Sequence, residues 1–185
     1  MKKILLLLIL FLVFPMKINA ITPNYDLLKL HIDAYVDLNG DMYVKEEIVL
    51  MGSFNGYIRD LSYQGDFSLY DASNLEVLSI YDSANNYFRE VDAAAEGDSH
   101  VFKRERTDGI TTLTMYNYTP SGTRTFFIEY RLEDVVVIHD DIAEVYWTFI
   151  GENFDDLIED ARITVHLPNE STELRGWAHG PLQGN

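Results

Sequence analysis

Thirty carboxylates, five histidines and no cysteine bound the chemistry open to this 185-residue chain. Without a thiol there is no thiolate nucleophile, no thiolate metal ligand and no disulfide. Asp37-Leu38-Asn39-Gly40-Asp41 sets oxygen donors at alternate positions, as a calcium loop does. A full calcium loop also needs glycine at its sixth position and a bidentate glutamate at its twelfth, where this chain has Met42 and Ile48. A hairpin turn is the simpler reading. Acidic pairs stand at Asp140-Asp141, Asp155-Asp156 and Glu159-Asp160. Glycoside hydrolysis needs two carboxylates facing each other across a cleft, whereas neighbours in an extended chain point to opposite sides. Solvated loop acids account for these pairs, with weak calcium binding as the alternative. His31, His100, His139, His166 and His179 include no pair at zinc-site spacing. No serine sits in a Gly-x-Ser-x-Gly elbow, since Gly52-Ser53 is followed by Phe54. The expectation is a protein that is not an enzyme and has no catalytic residues, cofactor or metal site.

One carboxylate stands apart from the others. Glu46 shares strand parity with Met42, Val44, Ile48 and Leu50 and is expected to point into the core. A lone buried carboxylate is costly, so it needs a cationic partner or a proton. Arg59 is the first arginine of the chain and the candidate partner, in a buried ion pair Glu46 to Arg59.

The elements that position these residues read as strands. Leu28, Leu30, Ile32, Ala34, Val36 and Leu38 alternate with polar residues, and Asn39-Gly40 is a dipeptide suited to a tight turn before the return strand Met42 to Met51. Further strands are expected at residues 75–82, 86–91, 100–106, 110–117, 124–138, 142–150 and 161–167, with a loop over residues 91–99 and one helical turn near residues 154–160. Short strands at turn-punctuated spacing predict an all-β, antiparallel β-sandwich, Ig-like or jelly-roll-like, with at most one short helix. The twelve tyrosines are assigned mainly to core and cross-strand pairs.

Two features place the chain. Lys2 and Lys3, the apolar run Ile4 to Phe14, Pro15 and the ending Ile18-Asn19-Ala20 predict a signal peptide over residues 1–20, cleaved after Ala20. A spanning helix needs about 20 apolar residues, and this run is shorter. Residues 21–185 then form one exported domain. Its loss of three lysines and no acid takes the formal charge from -16 to about -19, the wrong sign for nucleic acid.

Three stretches together resemble the predicted bacterial membrane proteins of domain-of-unknown-function family 2207. They are residues 37–48 with Gly52-Ser53-Phe54-Asn55-Gly56-Tyr57-Ile58-Arg59-Asp60; residues 143–151 leading through Phe154 and Ile158 to Pro168; and Gly176-Trp177-Ala178-His179-Gly180-Pro181-Leu182. Where the family often has tryptophan, Phe154 stands. The resemblance implies an extracytoplasmic β domain followed by further strands and transmembrane helices downstream of Asn185, and it offers no catalytic residues. It points to a non-catalytic binding, sensing or assembly module with a protein or cell-surface partner. Trp147 and Phe149 are expected as core anchors, and Gly56, Arg59, Trp177, His179 and Gly180 as a partner-binding corner. The rival is a surface hydrolase or a calcium-dependent carbohydrate-binding module.

Overall fold

A computed structural model describes residues 24–64, 68–151, 154, 156–168 and 173–177. The signal-peptide expectation lies outside these residues. Ten strands follow in chain order: β1 (Asn24–Val36), β2 (Met42–Ser62), β3 (Asn74–Asp82), β4 (Arg89–Glu90), β5 (Ser99–Thr107), β6 (Ile110–Thr119), β7 (Thr123–Glu133), β8 (Val136–Ile138), β9 (Ala143–Val145) and β10 (Ile158–His166). The only helix among the described residues is a single 3-10 turn, Ser68–Tyr70.

The architecture turns on β2. Its first half, Met42–Met51, lies between β1 and β7 in a sheet ordered β10-β1-β2-β7-β3. Its second half, Phe54–Ser62, pairs with β6 in a sheet that continues through β5 to β4. One strand thus serves both layers. The corner is made by a bulge between Phe54 and Gly56, and bulges bend a strand enough to let it change sheets. Two glycines permit the close crossings there. A Cβ on Gly52 would overlap the Asn24 carbonyl oxygen, and one on Gly56 would overlap that of Met115.

Period-two alternation decides which side chains are inside. Leu30, Ile32, Ala34 and Val36 of β1, Met42, Val44, Ile48 and Leu50 of β2, and Phe126, Ile128, Tyr130 and Leu132 of β7 are buried. They meet Tyr57, Leu61, Leu113, Met115 and Phe102 of the second sheet in one core. Each fully buried large apolar side chain contributes roughly 1.5–3 kcal/mol.

Several sequence expectations change in detail. The β1-β2 turn is a three-residue loop closed by Asp37 N–H to Asp41 O, with a positive φ at Gly40 alone, because one left-handed residue suffices for this bulged turn. Leu28 is the extra residue of a bulge in β1, so the inward parity passes from Leu27 to Leu30. The expected strand 124–138 breaks at Asp134, which has a φ of 60°. The expected strand 142–150 shrinks to Ala143–Val145, and 86–91 to Arg89–Glu90. The sandwich is antiparallel except at its margins, where β10 pairs with β1 and β4 with β5 in parallel. Among the described residues of 154–160 there is no helical turn, because Ile158, Asp160 and Ala161 take ladder positions opposite Leu27, Lys29 and Leu30.

Candidate functional site

Two polar clusters lie within this frame, one in the core and one at an end of the sandwich. In the core, Glu46 is fully buried on the first half of β2, and Arg59, 3 % exposed, faces it from the second half. Arg59 Nε donates to Glu46 Oε2 at 2.7 Å and its terminal nitrogen to Oε1 at 2.9 Å. Tyr130 donates its hydroxyl to Oε1 at 3.0 Å. The same Arg59 nitrogen donates to the Phe149 carbonyl at 2.9 Å, and the guanidinium lies 5.6 Å from the Phe154 ring centroid. Burial alone would lower Arg59, but the Glu46 carboxylate outweighs it and holds the guanidinium above its ordinary range. Burial, reinforced by Glu46, pushes the Tyr130 phenol well above its usual value. Both Glu46 oxygens, the Tyr130 hydroxyl and two of the three Arg59 nitrogens have partners within the protein, so the cluster's role is to lock the two layers together. It also pins the segment that carries Trp147, Phe149, Ile150 and Phe154 against the core.

Arg59 is interior and Gly56 abuts β6, so neither presents a face to a partner. Trp177 is 78 % exposed, while His179 and Gly180 lie outside the described residues. Trp147 and Phe149 are partly buried against the core.

The second cluster came from no sequence motif. A cleft of about 410 Å³ opens between the layers, lined by the turn Asp82 to Asn86, His100 of β5, Asn117 of β6, and Thr123, Arg124 and Thr125 of β7. Asp82 organises the turn: its Oδ1 accepts the backbone N–H groups of Ala84 and Asn86 at 2.9 and 3.0 Å. The Asn86 amide donates to both carboxylate oxygens. His100 Nε2 lies 3.0 Å from Asp82 Oδ2. Burial would raise the Asp82 carboxyl, yet these hydrogen bonds prevail and hold it at about 2. His100 is the added residue of a bulge between Ser99 and Val101 and has a φ of 55°, a conformation that histidine adopts more readily than most residues. The bulge turns its ring toward Asp82 and across the edge of Phe88, centroids 5.4 Å apart. A signal for this cluster was available: the parity that buries Leu113 and Met115 also buries Asn117 and Thr119, two polar residues with no evident core role.

Several acids of these motifs have structural employment. Asp37 Oδ1 accepts the N–H groups of Asn39 and Asp41, and Asp41 accepts from Asp134 N–H and lies 3.2 Å from Arg131. Asp156 accepts the Tyr25 hydroxyl at 3.3 Å, whereas Asp155 lies outside the described residues. Among the described residues no three His, Asp or Glu side chains converge on a point that could hold a metal ion.

Comparison with known proteins then places the chain. The model of the predicted membrane protein (DUF2207) N-terminal domain matches residues 26–185. The chain belongs to the DUF2207 family. No curated protein matches this DUF2207 domain by sequence. Among solved structures it is similar to two of leukotriene A4 hydrolase from the yeast Saccharomyces cerevisiae, each at 14 % identity. The TM-scores are 0.40 and 0.34, over 60 % and 58 % of this chain but only 15 % of each hydrolase chain. A likeness of that size to so small a part of an enzyme carries no argument about activity. Among the described residues no helix of the DUF2207 domain is long and apolar enough to cross a membrane.

Proposed function

We propose that this domain is a non-catalytic, extracytoplasmic assembly module, whose β10 edge receives the rest of the membrane protein to which such domains belong. The observation that carries this reading is the state of β10. It is the terminal strand of its sheet, so one side of its backbone has no neighbouring strand among the described residues. Ile163 and Val165 on it, and Leu167 just beyond, are each more than 40 % exposed, a row of apolar side chains on an open edge. An open, apolar edge is a template for adding another strand or a covering segment. A basic start followed by an apolar run at residues 2–14 supports export.

Hydrogen exchange tests the reading. Amides of residues 158–166 should exchange at least tenfold more slowly in the full membrane protein than in this domain alone, with β3 amides unchanged. Equal exchange of β10 in the two would overturn it. The hydrolase alternative would instead be favoured by turnover of a glycan or peptide substrate, and the carbohydrate-binding alternative by calcium-dependent glycan binding, either surviving Val165→Lys.

A further inference from the structure

We propose that the end cleft is a binding site for the carboxylate of a small, hydroxyl-bearing organic acid, received by Arg124 and Asn117. Three independent observations converge on it. The first is the cavity itself, whose 410 Å³ lies within the range of small-molecule sites and far exceeds what one water fills. The second is Asn117, which lines the cleft, is 3 % exposed, and has an amide nitrogen with no hydrogen-bond partner. An unmet buried donor is destabilising by roughly 1–3 kcal/mol, so native structures rarely keep one without a use. The terminal torsion of asparagine is soft, and rotation about it turns this nitrogen to a ligand oxygen. The third is the bulge that holds His100 at positive φ beside Asp82, a local strain at the rim of the cleft.

The sign of the ligand follows from which groups are already engaged. Asp82 is consumed: its oxygens are taken by Ala84, Asn86 and His100, so it offers no lone pair free to a cation. Arg124 is engaged only through Nε, which donates to Thr119 Oγ1 at 3.1 Å. Thr119 in turn donates to the Asn117 backbone carbonyl at 2.9 Å, which fixes the Arg124 stem beside the Asn117 backbone. Among the described residues Arg124 makes no ion pair with a carboxylate, in a chain whose formal charge is -16. A planar guanidinium with its terminal nitrogens available is shaped for a carboxylate, which it takes in paired hydrogen bonds. Around it, Ser83, Thr123 and Thr125 supply hydroxyls, partners for the hydroxyl groups of the same ligand.

Titration calorimetry of the intact domain tests the site with four probes: D-glucuronate, N-acetylalanine, D-glucose and inorganic phosphate. The expected result is saturable binding of glucuronate, with glucose at least tenfold weaker. Arg124 is exposed, so Arg124→Gln leaves the fold intact and should weaken glucuronate at least tenfold, as should Asn117→Leu. Lys45→Gln, remote from the cleft lining, should leave it unchanged. N-acetylalanine binding as tightly as glucuronate would assign the site to carboxylates without the hydroxyl requirement and overturn that part of the proposal. Phosphate binding as tightly as either, no saturable carboxylate binding, or an Arg124→Gln variant equal to the parent would overturn the site as a whole.

Discussion

The core cluster around Glu46 and the end cleft around Asn117 are both buried polar groups in an apolar sandwich, and they differ in one respect. At Glu46 both carboxylate oxygens find protein partners: two nitrogens of Arg59 and the Tyr130 hydroxyl meet them, and one of those nitrogens also reaches the Phe149 carbonyl. At Asn117 a donor is left over, beside an open volume and a strained histidine. A closed polar network specifies how layers dock, whereas an unfinished one next to a cavity marks where something else belongs. Burial of a polar residue therefore does not by itself indicate function.

The largest expected effect comes from opening the closed cluster. Glu46→Ala or Arg59→Ala strands a buried charge and should destabilise the domain by about 3–5 kcal/mol. For a domain of this size that is a fall in Tm of about 6–20 °C, read by thermal melting. The double variant should lose less than the sum, since the second removal strands nothing. Fully additive losses would show that the pair does not act as a unit.

The next effect separates the rim of the cleft from its interior by pH. Asp82 is held at about 2 against an ordinary 3.8, so the unfolded chain binds its proton first as pH falls. Its contribution is fully present above about pH 3.8 and is lost as pH drops through about 2. Denaturant melts of the parent and of Asp82→Asn should differ by about 2 kcal/mol above that window and converge below it. A constant difference across pH 2–6 would assign the loss to the turn geometry instead of the charge.

A smaller effect sharpens the contrast itself. Asn117→Leu removes the unmet donor, and its stability should change by less than about 1 kcal/mol or rise, unlike any substitution at Glu46. A loss of 3 kcal/mol or more in chemical denaturation would place Asn117 with the closed networks. Smallest of all is calcium. The carboxylates of Asp37 and Asp41 already serve N–H groups and Arg131, so millimolar calcium should leave Tm where magnesium leaves it.

How much of this is legible in the sequence follows from how far apart the deciding residues lie. Glu46 and the apolar residues of its face sit on one strand, and period-two parity alone aims the carboxylate inward. Arg59 is thirteen residues on along the same strand, close enough for the pairing to be reasoned from chain order. The cleft draws on four separated stretches, from Asp82, His100, Asn117 and Arg124, and only the folded layers bring them together. The parallel pairing of β10 with β1 is similarly hidden, since it depends on where a chain end returns and not on local pattern. Nor does local pattern show that a single strand runs on through the corner at Gly52 to Gly56.

That single strand has a consequence for how the molecule comes apart. Because β2 supplies rungs to both ladders, neither sheet can peel away as a separate unit without stripping hydrogen bonds from the other. Opening events that expose Ile48 and those that expose Arg59 should be the same event, with amide exchange along both halves of β2 reporting one common free energy equal to that of global unfolding.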